Sequence, residues 1–236
     1  MFPDVLTFGR AGFADELLRG AFVTLYIAAA AFAIGLVIGQ CGAMAKLYGG
    51  PVARAVAGFY TTIIRGVPEL VLILFLFFAG TRGVSALGVA VGYGPVEING
   101  TLAAILVLGF VQGAYSTEVL RGAIQAVPIG QIEAARAFGM SRVQVFSRII
   151  FPAMLPNAIP GLANLWLIVV KDTSLIMVTG ASAELFQATK NAAGFTKRYF
   201  LFYFVAGLIY LALTLASNFG LVRLERFVRR GQSSPA

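Results

Sequence analysis

Residues 20–45 read GAFVTLYIAAAAFAIGLVIGQCGAMA, an apolar stretch of 26 residues without a charged side chain. A helix needs about 20 consecutive apolar residues to cross the hydrocarbon core of a bilayer. The stretch is therefore predicted to form a transmembrane helix, and its many Ala and Gly residues are typical of helices that pack closely in lipid. It has no basic n-region before it and no clear cleavage site, so we interpret it as a retained span rather than a signal peptide.

Four more apolar blocks follow, at residues 56–80, 100–119, 161–178 and 199–222. Over the whole chain 59% of the residues are hydrophobic and 12% are charged, whereas a soluble domain carries about 25% charged residues. The prediction is an all-α, polytopic membrane protein with five transmembrane helices, in which residues 1–236 form a single transmembrane domain. Any ATPase, catalytic or solute-capturing domain is expected to belong to another chain.

The formal net charge of +8 is distributed unevenly. Nucleic-acid binding is one interpretation of a basic protein, but here the charges lie in short loops beside apolar blocks, which membrane topology explains better. The loops at residues 46–54 and 121–148 and the tail from residue 223 are net positive and fall on one side of a five-span chain. We therefore expect the N-terminus outside and the C-terminus in the cytoplasm.

One loop disagrees with this orientation. Residues 181–198 lie outside in the five-span arrangement, yet they contain Lys190, Lys197 and Arg198 against the single acid Glu184. Three segments support the orientation and one opposes it, so we keep the prediction.

Composition also excludes several kinds of chemistry. The chain has no histidine, which excludes histidine-based metal sites and His-dependent catalytic triads. Cys41 is the only cysteine, so no intrachain disulfide can form. A P-loop of the form G-x-x-x-x-G-K-S/T is absent, so the chain is not expected to hydrolyse ATP by that route. We expect no enzymatic activity, no metal site and no cofactor in this chain.

The basic, amphipathic stretch at residues 121–148 contains the most informative motif. It reads Glu133-Ala134-Ala135, then Gly139 four residues after the second alanine, then Ile149, one residue, and Phe151-Pro152. This spacing resembles the EAA loop of ABC-importer permeases, except that Phe151 replaces a leucine. The resemblance implies a cytoplasmic coupling helix at about residues 129–139 that contacts an ATPase subunit.

Three further segments, at residues 60–71, 113–122 and 171–175, resemble polar amino-acid permeases, and the overall pattern is most similar to the histidine/lysine/arginine/ornithine and opine branch. The resemblance implies the transmembrane domain of a type I ABC importer in the bacterial cytoplasmic (inner) membrane. It implies as partners a second permease subunit (identical or merely similar), an ABC ATPase dimer that binds ATP and Mg, and a periplasmic or extracellular substrate-binding protein. The implied solute is a polar, basic amino acid or opine, and no nucleic acid is expected.

The chemistry of the EAA stretch suits such a contact. Small side chains at Ala134 and Ala135 permit close approach of another protein, and Gly139 permits the turn that ends a short helix. Ile132, Ala135 and Phe138 or Gly139 fall at helical spacing and predict one docking face. The alternative is an ordinary interfacial amphipathic helix. The candidate coupling residues are Glu133, Ala134, Ala135, Arg136 and Gly139.

Two acids lie near the ends of apolar blocks, where charge is costly and therefore a candidate for function. Glu118 and Asp172 could bind a cationic group of the solute. The alternative for Glu118 is an i,i+3 pair with Arg121, and the alternative for Asp172 is a structural role with its polar end turned towards the membrane surface.

Other polar residues of the blocks are weaker candidates. Pro68 within a helical run would kink the helix, and with Arg65 and Glu69 it could form a hinge at the mouth of a pathway. The alternative is an i,i+4 pair between Arg65 and Glu69. Asn164 and Trp166 could line the pathway, although Trp166 is equally suited to packing.

Two other functional classes remain open. A proton- or sodium-coupled secondary carrier would normally have more spans, often as inverted repeats, and none is visible. A membrane scaffold that moves no solute could also use an amphipathic loop to bind a partner.

Overall fold

The computed structural model describes residues 4–9, 12–180 and 182–228, and the regular structure of these residues is helical throughout. A 3-10 turn at Asp4–Leu6 precedes nine α-helices, a π-helical segment at Phe146–Ile150 joins α6 to α7, and a 3-10 segment at Thr173–Thr179 follows α7. The helices are α1 (Ala14–Tyr48), α2 (Pro51–Gly66), α3 (Glu69–Ala90), α4 (Gly100–Gln125), α5 (Ile129–Ala137), α6 (Arg142–Val145), α7 (Phe151–Asp172), α8 (Leu185–Thr196) and α9 (Tyr199–Val228).

Five segments of the described chain are long and apolar enough to cross a membrane, as predicted. They are Ala14–Tyr48, Glu69–Ala90, Gly100–Gln125, Arg142–Thr179 and Tyr199–Val228. The fourth runs from α6 through α7 into the following 3-10 segment. Helices α2, α5 and α8 are shorter and lie outside these five segments.

The second span begins later than we predicted. We expected one kinked helix over residues 56–80, but α2 ends at Gly66 and α3 runs from Glu69 to Ala90. The cause is Pro68, which has no N–H and excludes the helical conformation of the residue before it. Val67 is accordingly extended, with φ −105° and ψ 142°. Pro68 therefore separates two helices instead of kinking one.

Local sequence explains the other helix starts. Pro51 occupies the first turn of α2, where its missing N–H is not needed. The Asn99 side chain accepts hydrogen bonds from the backbone N–H groups of Thr101 and Leu102 and caps α4. Ser141 and Gln144 form a reciprocal capping box at the start of α6.

The closest contact of the bundle joins α1 to α4. Glycines of α1 face the backbone of α4: a Cβ at Gly39 would lie 2.4 Å from the Cβ of Ser116 and 2.9 Å from its carbonyl carbon. In the reverse direction, a Cβ at Gly113 would lie 2.6 Å from a methyl carbon of Ile38. Small residues allow such backbone contact between membrane helices, and here they place α4 at the centre, in contact with α1, α2, α3 and α7.

Four apolar clusters fill the described bundle. One joins α2 to α3 and α4 through Ile64, Leu72 and Val111, and the other three lie at different levels. The middle cluster joins α1, α3, α4 and α7 through Ile27, Ile73, Leu108 and Val170. One end holds Leu17, Leu185 and Phe202 and joins α8 to α1 and α9. The opposite end joins α5 to α1, α4 and α7, so the short helices are attached to opposite ends of the same bundle.

The close α1–α4 contact predicts that a larger side chain at Gly39 strongly lowers the stability of the protein. Gly39→Val would place carbon atoms within the backbone of α4 and should destabilise the fold by about 1–3 kcal/mol or more, because a close-packed interface cannot yield. The measurement is the yield and melting temperature of purified protein in detergent. Gly207→Val in α9, where a Cβ would meet no atom of this chain within 4 Å, is the matched control and should behave like wild type. Equal behaviour of the two variants would contradict the contact.

Candidate functional site

Polar side chains converge where α1, α2 and α4 meet. They line a cavity of about 410 Å³ that opens to the surface, since Thr61 is buried but Thr62 and Arg65 are exposed. Charged groups on membrane-spanning helices are costly unless they are paired or bind something, so the cavity is the first candidate for function. Its lining residues are Lys46, Thr61, Thr62, Arg65, Gly66, Tyr115 and Glu118.

Glu118 is held by two cations of this chain. Lys46 of α1 donates to its Oε1 at 2.5 Å, and Arg121 donates to its Oε2 from Nη2 at 2.8 Å and from Nε at 3.0 Å. Lys46 also donates to the hydroxyl of Thr61 in α2 at 2.5 Å. The Glu118 side chain is 16% exposed. The network therefore ties α1, α2 and α4 together, and it contains the Arg121 pair that was the structural alternative for Glu118.

A second polar cluster adjoins the cavity. The helix break at Val67 and Pro68 places Glu69 in the first turn of α3, where its side chain interacts with both Tyr115 of α4 and Asp172 at the end of α7. The guanidinium of Arg65 lies 6.0 Å from the centre of the Tyr115 ring, at the outer limit of a cation–π contact. The fold thus joins Glu69 and Asp172, which we had assigned to different roles.

The electrostatics of the two clusters differ. Glu118 has a hydrogen-bonded cation on each oxygen. Glu69 and Asp172 instead lie close to one another, and Lys171 is the cation of the chain that acts on Asp172. Because Arg65 and Glu69 lie on different helices, the i,i+4 pair that we considered is absent from the described part of the chain. A carboxyl pair of this kind favours a cationic ligand group.

The structure does not bring Asn164 or Trp166 to the lining of this cavity. Trp166 packs edge-on against Phe32 of α1, with ring centres 5.6 Å apart, and joins the middle cluster. Asn164 is exposed on α7. Trp166 therefore has the packing role that we weighed as its alternative.

Helix α5 has the length and the end that the EAA motif predicts. It runs from Ile129 to Ala137, and Gly139 follows with φ +77°. The N–H of Gly139 donates to the carbonyl of Arg136 at 2.9 Å, and the N–H of Met140 donates to that of Ala135 at 3.1 Å. These two bonds form a Schellman turn, which requires the left-handed conformation that glycine adopts freely.

In the structure, part of the predicted docking face of α5 packs against its own chain and part is exposed. Ala135 is 4% exposed and Ile132 is partly buried, and both pack against the cluster that joins α5 to α4 and α7. Glu133, Ala134 and Arg136 are exposed, and Phe138 is 87% exposed. Ala135 therefore anchors α5 to its own chain because its side faces the bundle, and the other side of the helix remains available to a partner.

Glu184 is a buried acid that sequence reasoning did not find. It is 0% exposed and accepts hydrogen bonds from the N–H groups of Phe186 at 2.6 Å and Gln187 at 2.7 Å, and from the Tyr210 hydroxyl at 3.2 Å. Burial raises the pKa of this carboxyl to about 7, although the three donors act in the opposite direction. Glutamate is not among the preferred N-cap residues, so the sequence before α8 did not predict that Glu184 caps this helix.

Sequence reasoning also missed Lys46, Thr61, Thr62 and Tyr115. In the sequence, Lys46 contributes only to the positive charge of the loop at residues 46–54. Thr61, Thr62 and Tyr115 lie within the segments 60–71 and 113–122, and nothing in those segments marks these three residues as lining a site. Only the helix contacts show that they line one cavity.

Comparison with known proteins gives consistent matches. The sequence profile of the family described as "binding-protein-dependent transport system inner membrane component" matches residues 31–230. The histidine/lysine/arginine/ornithine transport system permease protein HisQ of Escherichia coli is 43% identical over 91% of this chain and 94% of that protein. The nopaline transport system permease protein NocQ of Agrobacterium fabrum is 40% identical over 98% of each. The crystal structure of an amino acid ABC transporter with histidines superposes with a TM-score of 0.77 at 29% identity, covering 91% of this chain and 94% of that one.

The Glu118 network predicts a specific pattern of stability. Glu118→Gln leaves Lys46 and Arg121 without their anion and should destabilise the protein by about 1–3 kcal/mol, whereas Lys46→Gln leaves Glu118 paired with Arg121 and should destabilise it less. The double variant removes both charges and should be more stable than the sum of the single effects predicts. The measurement is a thermal unfolding series on the four purified proteins. Unchanged stability of Glu118→Gln, together with selective loss of cationic solute uptake, would instead show that Glu118 reads the solute.

Proposed function

Because the chain belongs to the family of binding-protein-dependent transport system inner membrane components, we propose that it is the permease subunit of an ATP-binding-cassette importer for a basic amino acid or related opine. The Escherichia coli relative is named for histidine, lysine, arginine and ornithine, and the Agrobacterium relative for nopaline. The amino acids in the first name carry, or can acquire, a cationic side chain at neutral pH.

The carboxyl pair of Glu69 and Asp172 is the observation that carries the choice of solute. A cationic side chain placed between the two carboxyls would relieve their mutual repulsion and form charge-assisted hydrogen bonds. Arg65, whose guanidinium lies 6.0 Å from the centre of the Tyr115 ring, is suited to the carboxylate of the same solute. An amino acid with a cationic side chain offers these two charges at opposite ends.

Energy for transport is proposed to enter through α5. The exposed side of that helix would contact an ATPase subunit, which would supply ATP and Mg; the permease chain itself would need no cofactor. The buried side, through Ala135, packs on the cluster that contains Leu120 and Ile124 of α4 and Met154 of α7. Because α4 also carries Tyr115 and Glu118, a displacement of α5 would move the wall of the cavity.

The complete importer is proposed to contain a second permease, either this chain again or a similar one, two ATPase subunits and a solute-binding protein. We place the N-terminus outside and the C-terminus in the cytoplasm, because Lys46, α5 and the basic end of α9 then share the cytoplasmic side. The end with α8 and residues 91–99 would face the binding protein.

Asp172→Asn tests the solute site. The neutral amide cannot pair with a cationic side chain, so ATP-dependent uptake of arginine or lysine should fall tenfold or more, with glutamine uptake affected much less. The measurement is uptake of labelled amino acids by proteoliposomes matched for complex content. Glu97→Gln removes the same charge from an exposed acid in the connection between α3 and α4 and is the control.

Equal losses for arginine and glutamine, or no loss, would contradict the assignment of Asp172. The same vesicles test the function as a whole. Uptake that persists after the ATPase is inactivated would indicate a secondary carrier, and ATPase binding without any solute movement would indicate a scaffold.

Gly139→Val tests the coupling helix. A β-branched residue is strained at φ +77°, while the added Cβ meets no atom of this chain within 4 Å. The variant should insert and assemble but hydrolyse ATP without proportionate uptake. Gly139→Asn, which tolerates the left-handed conformation, should keep most of the coupling. Normal uptake by the valine variant would count against the role of α5.

Cysteine labelling tests the orientation. In a Cys41→Ser background, Ser147→Cys should react with a membrane-impermeant maleimide from the cytoplasmic side only. Tyr93→Cys should react from the outside only, since Tyr93 is exposed in the connection between α3 and α4. Labelling of both positions from one side would overturn the topology.

A further inference from the structure

Glu184 is buried more completely than the capping of a helix requires. It is 0% exposed, and its two oxygens accept hydrogen bonds from the backbone N–H groups of Phe186 at 2.6 Å and Gln187 at 2.7 Å, which cap α8. Serine, threonine, aspartate and asparagine are the preferred N-cap residues, and each does this with a shorter side chain. Burial of a carboxylate is also costly. The cap of α8 therefore does not by itself account for a glutamate at this position.

The further contact of Glu184 is with Tyr210 of α9. The Tyr210 hydroxyl donates to Oε2 of Glu184 at 3.2 Å. The same hydroxyl interacts with the side chains of Thr24 in α1 and Thr173, and both threonines are fully buried. The hydroxyl of Thr24 in turn accepts a hydrogen bond from the backbone N–H of Leu185 at 3.1 Å. One hydroxyl group thus connects α9 with α1, with the start of α8 and with the residue that follows α7.

Thr173 is directly next to Asp172, the acid of the proposed solute site. It begins the 3-10 segment Thr173–Thr179, which also contacts α8. The Thr173 hydroxyl donates to the carbonyl of Val170 at 2.8 Å. Because the helix changes from α to the tighter 3-10 form at this point, the direction of the Asp172 side chain depends on where the backbone of Thr173 is held. Tyr210 therefore acts on the chain one residue away from the solute carboxyl.

We propose that Glu184 and Tyr210 form a positioning pair, which holds Asp172 in the orientation that favours a cationic solute over a neutral one. This rests on the proposed function, in which Asp172 binds the cationic group of the solute. A binding group discriminates between ligands only when surrounding hydrogen bonds and packing fix its geometry. Neither Glu184 nor Tyr210 touches the solute in this arrangement, and both act through Thr173.

A purely structural role of the pair would give a different result. If the pair only stabilised the fold, its loss would reduce the amount of folded protein, and the remaining folded protein would keep its preference between solutes. A positioning role changes the preference itself. The ratio of the dissociation constants for glutamine and arginine separates the two roles, because a loss of active protein affects both solutes equally and cancels in the ratio.

The experiment measures equilibrium binding of labelled arginine and labelled glutamine to the permease–ATPase complex in nanodiscs, without a solute-binding protein. The measured quantity is the ratio of the glutamine to the arginine dissociation constant. Tyr210→Phe removes only the hydroxyl and should lower this ratio about fivefold, which corresponds to one lost hydrogen bond. Tyr203→Phe is the matched control and should leave the ratio unchanged, since it removes a hydroxyl from a side chain of the same helix that is 38% exposed.

Two further variants test the route from Glu184 to Asp172. Glu184→Asp keeps a preferred N-cap residue for α8 but lacks the methylene that brings the carboxylate to Tyr210, so it should lower the ratio as Tyr210→Phe does. In an Asp172→Asn background the solute carboxylate is already absent. There Tyr210→Phe should change the ratio by less than about twofold, because two residues that act through one group are not additive.

The outcomes separate this inference from the proposed function. If the wild-type complex binds arginine no better than glutamine, or if Asp172→Asn leaves the ratio unchanged, the proposed solute site fails and the positioning pair fails with it. If Asp172→Asn lowers the ratio and Tyr210→Phe does not, the positioning pair alone is overturned. An equal effect of Tyr210→Phe with and without the Asp172 carboxylate also overturns it, since Tyr210 would then act by another route.

Discussion

The backbone contact between α1 and α4 is the constraint on which the rest of the structure depends. Between helices in lipid there is no hydrophobic driving force, so association requires van der Waals contact and hydrogen bonds. Gly39 and Gly113 provide that contact by removing side chains from the interface. Once α4 is held against α1, it has sides left for α2, α3 and α7. Every polar group of the cavity is positioned relative to this central helix, from Tyr115 and Glu118 on α4 to Lys46 on α1.

The acidic side chains of the bundle fall into two groups, those that are paired with cations of the same chain and those that are not. Glu118 is bonded to Lys46 and Arg121, so its charge stabilises the joint of three helices. Glu69 and Asp172 instead lie close to one another, with Lys171 acting on Asp172. A charge in a membrane-spanning bundle must be paired or serve a function. Glu118 therefore has a structural role, and the other two acids are the candidates for binding a cation.

The short helices give the bundle two different ends. Helix α5 is joined to α4 and α7 through Ala135, and it leaves Glu133 and Phe138 exposed. Helix α8 is joined to α1 and α9 through Leu185, and it leaves a basic face exposed. Both are anchored on one side and open on the other, which suits surfaces that receive partners. Both rest on helices that also line the bundle interior.

The sequence by itself determined that the chain lies in a lipid bilayer, that the fold is all-α and that it has five spans, since these properties depend on the lengths of the apolar blocks. It also determined the α5 motif, which depends on local residue spacing. It also predicted the turn at Gly139, because a left-handed end is a local property of the backbone. It did not determine where the second span begins, since apolar residues on both sides of Pro68 conceal the break. Nor did it show that Lys46 reaches Glu118, that Glu69 meets Asp172, or that Glu184 is buried. Those contacts join residues far apart in the chain, and only the packing of the helices against one another brings them together.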